Sequence, residues 1–417
     1  SVLQTIADST HTPTFENTIP AMERTGRTLD RVSTIYYLWG GNMATPDYQA
    51  VQREMAPRLA AFGDKITQNE ALFKRIEAVY NSPVKKDLTA EQQRLVWNYY
   101  TNFVRSGARL DPAKKKRLGE INQSLAGLFT RFGQNLLAEE NGQWIVLKNE
   151  ADLAGLSTSL RDAAASAAAA KKVEGVAGII LNTRSSVDPF LTYSDRRDLR
   201  ETVWRMFINR GDNGNEYDNN KIITEILKLR AERANLLGYE THAHWRLENA
   251  MAKTPERTLE LMETVWPAAI ARVKEEVADM QTLADKERAG IKIEPWDYRY
   301  YMEKVRKAKY DLDQNEVKPY LQLDKIRDAM FFVAGEVFDF KFAPVAGVPV
   351  FHPDVTVWEV TRRSNGKHVG LWYFDPYARD GKRSGAWMTA YRNQERMDNE
   401  VTTIVSNNSN FIKGKEG

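Results

Sequence analysis

Apolar residues recur every three or four positions through most of the chain, the period of a helix with one buried face. The longest such run covers residues 254 to about 288, where Leu259, Met262, Val265, Ala269, Val273, Val277, Met280 and Leu283 share a stripe. Its ends are marked chemically. Thr254 offers a side-chain oxygen to an orphan amide, Pro255 fits a first turn that needs no donor, and Gly290 lies beyond the stop. A second stripe, Leu323, Ile326, Met330, Val333 and Val337, follows Asp313 and Glu316, whose spacing suits a capping box at a preceding turn. Further helices are expected over 18–43, 47–80, 89–104, 112–137, 157–171 and 194–208. Segments 143–147 and 176–181 have the branched aliphatic content of strands and predict a small satellite sheet. After Phe338 the texture changes: 348–361 alternates apolar and polar residues, Asn365-Gly366 breaks the run, and 368–374 resumes it, which predicts a β-hairpin. Residues 385–391 would add a strand, whereas 406–417, polar and glycine-containing, reads as a loop. The expectation is therefore a mainly α protein with a helical region, 1–338, and a β-containing region, 339–417.

Composition acts by exclusion. The 59 basic residues nearly cancel the 56 acidic ones, so the net charge of +3 gives no field that would draw in nucleic acid. Even the alanine-rich run Ala163–Ala170, flanked by Arg161 and Lys171, falls far short of the ~20 apolar residues that span a bilayer. The absence of cysteine removes disulfides, thiolate metal sites and cysteine nucleophiles together, leaving imidazole and carboxylate as metal ligands. The chain begins at Ser1 without a charged-then-apolar leader, so a signal peptide either has been removed or was never there.

None of the five histidines begins the His-Glu-x-x-His spacing that puts two imidazoles on one helical face around zinc. Glu240, His244 and Glu248 would align on a helix, either as a metal face or, as such spacing more often means, a salt-bridging one. Gly381-Lys-Arg-Ser-Gly385 is no nucleophile elbow, because its central residue is Arg383 rather than serine. No glycine-rich phosphate loop occurs, and the paired carboxylates Glu139-Glu140 and Glu275-Glu276 suit exposed helices as well as acid–base chemistry.

Several separated segments carry a resemblance. VFHPDVTVWEV (350–360) and GLWYFDPYARDGKRSGAWM (370–388), supported by PTFENTI (13–19), RAERANLLGY (230–239), MAKTPE (251–256) and PWDYRYYMEKVRKAKYDLD (295–313), are similar to segments of one zinc metallopeptidase family. That family contains dipeptidyl carboxypeptidase, oligopeptidase A and thimet oligopeptidase. Trp358-Glu359, Phe374-Asp375-Pro376-Tyr377 and VSNNSNF (405–411) look closer to the bacterial dipeptidyl carboxypeptidases.

The resemblance implies a mainly α, two-lobed (neurolysin-like) zinc-peptidase fold with a channel for short peptides and a small β-sheet near the end of this chain. It implies zinc as cofactor, held by a His-Glu-x-x-His helix and a later glutamate that this chain lacks and that would follow residue 417. The expected function is release of dipeptides from peptide carboxyl termini. The chain alone would be inactive, and the remaining carboxyl-terminal part of the enzyme would be its partner, as a separate polypeptide if the chain is nicked in an exposed loop at 413–417. The alternatives are an endo-acting oligopeptidase and a non-catalytic, peptide-binding truncation. Lack of cysteine leans towards the bacterial periplasm over the cytoplasm. Within the matched segments, Ser384, Gly385 and Ala386 are candidates to lie against a peptide backbone, or they form an ordinary loop-to-strand turn. Arg379, Lys382 and Arg383 either meet a substrate carboxylate or pair with Asp375 and Asp380. His352 suits a buried structural imidazole better than a catalytic one, and Trp358 and Trp387 suit core aromatics better than substrate platforms.

Overall fold

The computed structural model describes residues 2–413 and is mainly α, with two small sheets. It divides into two compact units: one of residues up to 36 with 44–136 and 214–267, the other of 37–43, 137–213 and 268 onward.

The first unit is helical. Thr14 and Asn17 form a capping box for the helix Phe15–Glu23, Asn69 caps Glu70–Asn81, and Thr89 with Gln92 boxes Ala90–Arg105. These caps satisfy amides that the first helical turn leaves without partners. Ile19, Leu72, Ile76 and Val96, each at most 1% exposed, form the centre where the three helices meet. Each contributes roughly 1.5–3 kcal/mol of burial. Two expected single helices are in fact pairs. Residues 18–43 are interrupted at Gly26, whose φ of +80° ends one helix before Arg27–Asn42, and 47–80 divide where Asn69 turns out of Pro46–Thr67 to cap its successor. A further core joins Ile121 and Leu125 to Ile222, Ile226 and Leu229.

The second unit contains both sheets. Strands β1 (Trp144–Leu147) and β2 (Gly178–Leu181) pair antiparallel, as the branched residues predict. The helix Thr158–Ala170 lies so close that a Cβ on Gly178 would sit 2.7 Å from the Ala164 Cβ. Nearby, Asp297 is wholly buried and bridges two residues of the helix Arg197–Ile208: Arg197 at 2.8 Å and Arg200, itself 2% exposed, at 2.8 Å. The Trp-Asp of PWDYRYY is thus an anchor for that helix, with Arg200 Nε donating to the Trp296 carbonyl at 3.3 Å.

The larger sheet runs β3 (Phe340–Pro344), β4 (Thr356–Arg362), β5 (His368–Tyr377), β7 (Thr403–Phe411), β6 (Trp387–Arg392). The β4–β5 hairpin closes at Gly366, φ +69°, as Asn365-Gly366 predicts. Strand β7 corrects the sequence reading of 406–417 as a loop: up to Phe411 it is a strand, parallel to β5 on one side and antiparallel to β6 on the other. Its polar side chains are consumed inside the sheet. Asn408 Nδ2 donates to the Trp387 carbonyl and to Ser406 Oγ, and Asn407 Oδ1 accepts from Trp372 Nε1 at 2.8 Å. Residues 414–417, most of the expected protease-sensitive loop, lie outside the described residues; Lys413 is exposed and pairs with Asp354 at 2.6 Å.

The helix Leu323–Phe338 packs on this sheet through Phe331, whose ring stacks on Phe342 at 4.2 Å and meets Trp358 edge-on at 4.9 Å. The stripe expected to be its buried face is not: Ile326, Met330, Val333 and Val337 are 45%, 42%, 56% and 64% exposed. Among the described residues, no helix is long and apolar enough to cross a membrane.

Candidate functional site: a sheet edge and the loop that sets it

Between β5 and β6 the chain makes a loop, 378–386, in which Arg379, Asp380 and Lys382 are each held by an ion pair. The anchor is Asp375, fully buried near the end of β5. Arg379 meets it with a two-pronged guanidinium bridge, 2.7 Å on each oxygen, and donates through Nε to the Asn42 carbonyl at 3.2 Å. Lys382, whose side chain is fully buried, pairs with the same carboxylate at 3.0 Å and donates to the carbonyls of Asp375 and Tyr377. Burial pulls the Lys382 ammonium down to about 8, against the opposing pull of Asp375. Lys171 holds Asp380 at 2.9 Å. Of the two alternatives for these cations, Arg379 and Lys382 show the local pairing with Asp375.

Gly381 and Gly385, at φ +77° and +100°, take conformations that side chains resist. Gly385 has open space around it, so backbone conformation rather than crowding calls for glycine there. The Arg383 amide donates to the Gly41 carbonyl at 3.0 Å, and Asn410 Nδ2 takes the carbonyls of Arg383 and Gly385 as acceptors at 3.0 and 2.7 Å. The Arg383 side chain is exposed and lies over Trp387, 4.4 Å from the ring centroid, with no carboxylate paired to it among the described residues. Gly385 and Ala386 are exposed and lead directly into β6. Strand β6 ends the sheet: it pairs with β7 alone, and its other edge has no strand partner among the described residues. Ser384, half-buried, borders a cavity of about 340 Å³ walled by Leu160, Ala163 and Ala167, while Gly385 and Ala386 face a groove of about 760 Å³.

The histidines make no hydrogen bond or ion pair to the loop 378–386 among the described residues. His352 Nδ1 accepts from the Asp354 amide at 3.2 Å, and burial together with Arg379 keeps the ring below the usual imidazole range, which suits a neutral structural role. His244 sits between Glu240 and Glu256 at 3.7 and 3.8 Å, and Glu248 is taken by Arg105 and Tyr239, so this face is a salt-bridging one. Trp358 packs edge-on against Phe331, as a core aromatic would. Among the described residues no three histidine, aspartate or glutamate side chains gather so as to hold a metal ion, and the residues present do not fit a zinc centre.

The family model for peptidase family M3 matches residues 190–415, more than half of the chain and the whole of the five-stranded sheet. The chain belongs to peptidase family M3. It is 34% identical over 414 residues to dipeptidyl carboxypeptidase of Escherichia coli (strain K12), covering 99% of this chain and 60% of that protein. To oligopeptidase A of Haemophilus influenzae it is 30% identical over 399 residues, covering 94% of this chain and 58% of the relative. Saccharolysin of Saccharomyces cerevisiae is 23% identical over 82% of this chain. The chain therefore spans about 60% of the length of the bacterial dipeptidyl carboxypeptidases it matches. The M3 resemblance read from separated motifs is borne out.

Sequence reasoning missed two parts of this candidate site: β7 as the strand that seats β6, and the burial of Lys382. The run Thr402-Thr403-Ile404-Val405 was a strand signal available for the first. Nothing local signals the second.

Proposed function

We propose that this M3 chain is one part of a peptidyl-dipeptidase that removes dipeptides from the carboxyl termini of short peptides, and that the free edge of β6 holds the peptide. The observation that carries this reading is the β6 edge, which has no strand partner among the described residues, is entered through exposed Gly385 and Ala386 and follows a loop anchored on Asp375. An extended peptide adds to such an edge by backbone hydrogen bonds. Ser384, Gly385 and Ala386 line its path, Arg383 offers a guanidinium to a carboxylate, and Arg379 acts from behind by fixing Asp375. Zinc, which polarises a carbonyl and activates water, is assigned with its ligands to polypeptide beyond this chain, and the chain by itself is inactive.

Two further observations support a companion segment: the chain covers only 60% of the Escherichia coli relative's length, and the Leu323–Phe338 stripe is left in solvent. The cysteine-free composition supports a periplasmic setting. Oligopeptidase A as a relative favours a second reading, an endo-acting enzyme. Matched peptides with free and amidated carboxyl termini, given to the complete gene product, separate the two. Loss of cleavage on amidation is expected, and equal cleavage of both would replace the dipeptidase reading with the endo-acting one. In that product Arg383→Ala should raise KM for free-carboxyl peptides about tenfold while leaving kcat in place, the size of one charge-assisted hydrogen bond.

A further inference from the structure

A cationic pocket in the first unit has no part in the edge chemistry. Arg230 and Arg233 lie on the helix Asn220–Leu236, and Arg246 follows Trp245 on His242–Leu247. The Arg233, Arg246 and Arg105 guanidinium groups lie 4.7, 5.6 and 5.6 Å from the Trp245 ring centroid, and Arg230 lies 5.1 Å from that of Phe129. Arg105 is accounted for by Glu248 and the Trp245 carbonyl. Arg230, Arg233 and Arg246 have no carboxylate at ion-pair distance among the described residues; Arg233 donates to Asn122 Oδ1 at 3.2 Å. The Nε groups of Arg230 and Arg233 are buried without a hydrogen-bond acceptor, and so is Asp64 Oδ2 without a donor. Proteins leave few such groups unmatched. Arg233, Trp245, Phe129, Asn122 and Asp64 line a cavity of about 400 Å³.

We propose that this pocket binds an oxyanion, a phosphate or a carboxylate, held by the Arg233 guanidinium in its wall, with Arg230 and Arg246 adding to the positive field around it. Planar guanidinium forks match the paired oxygens of such groups. Among the described residues, Asp64 is the acid whose charge acts on Arg233. Burial raises its carboxyl above the usual range, although Asn122 and Arg233 oppose the shift. His242 reports on the same field: burial, then Arg230, Arg233 and Arg246, bring its ring down to about 4. An anion that neutralises the arginines must push that ring back up.

The test is NMR of histidine-labelled protein held at about pH 5, where His242 is still mostly neutral. Inorganic phosphate, N-acetylglutamate and sodium chloride are titrated at matched ionic strength. Phosphate should protonate His242 saturably. Arg246→Gln, which alters an exposed side chain and leaves the cavity walls intact, should weaken that response about tenfold, while Lys86→Gln, a surface charge elsewhere, leaves it unchanged. A response to phosphate alone assigns the site to free phosphate; competition by N-acetylglutamate assigns it to a peptide carboxylate. If His242 responds no more to either than to sodium chloride, or if the two variants behave alike, the proposal is overturned.

Discussion

Asp375 serves two cations with one carboxylate, and both sit behind the surface it organises. Removing its charge strands a fully buried ammonium, so Asp375→Asn should destabilise the chain by about 3–5 kcal/mol in urea unfolding. Lys382→Met should cost less, because it removes a buried charge along with its desolvation penalty, though two carbonyls lose their donor. Gly385→Ala meets no atoms but must hold a φ of +100°, at a cost of about 1–2 kcal/mol. His242 gives a pH signature of its own. Its folded-state value of about 4 lies below the ordinary 6.5, so as pH falls the unfolded chain takes up the proton first. Stability should therefore drop between about pH 6.5 and 4, and His242→Gln should flatten that part of the profile of urea midpoints. Of these residues the sequence offered Lys382 and Asp375 as a local pair and Gly385 as a small residue for close approach. The structure gives it a different reason, a backbone angle that only a folded loop reveals.

At the level of elements, β7 shows how a turn-like sequence becomes an internal strand. Serine and asparagine favour turns because their side chains compete for backbone hydrogen bonds. Here that capacity is used across strands instead, with Ser406 fully buried and Asn408 1% exposed. Asn408→Leu should cost about 1–3 kcal/mol, since the Trp387 carbonyl and Ser406 are left without it. Asn410→Ala should do less to stability and more to the loop: amide exchange at residues 383–386 should accelerate, because the Arg383 and Gly385 carbonyls lose their shared donor. The hairpin of β4 and β5, by contrast, was legible from alternation and Asn365-Gly366, since its pairing is local in the chain.

For the whole molecule, the exposed apolar stripe of Leu323–Phe338 is where the association with further polypeptide should be tested. Met330→Glu should leave the stability of this chain within about 0.5 kcal/mol, as at any exposed position. Binding of the segment that completes the relatives' length, measured by calorimetry, should fall about tenfold or more. Unchanged binding would remove that stripe from the interface. The sequence by itself determined the helical period, the caps, the hairpin and, through motifs spread over the chain, membership of the M3 family. Each of these is written in residues near one another or in recognisable strings. Tertiary structure alone decided which stripe of a helix is covered, that a run of asparagines and serines forms a strand, and that the Lys382 side chain is buried. Those outcomes depend on which distant segments exclude water from a given side chain, and a linear pattern carries no record of that.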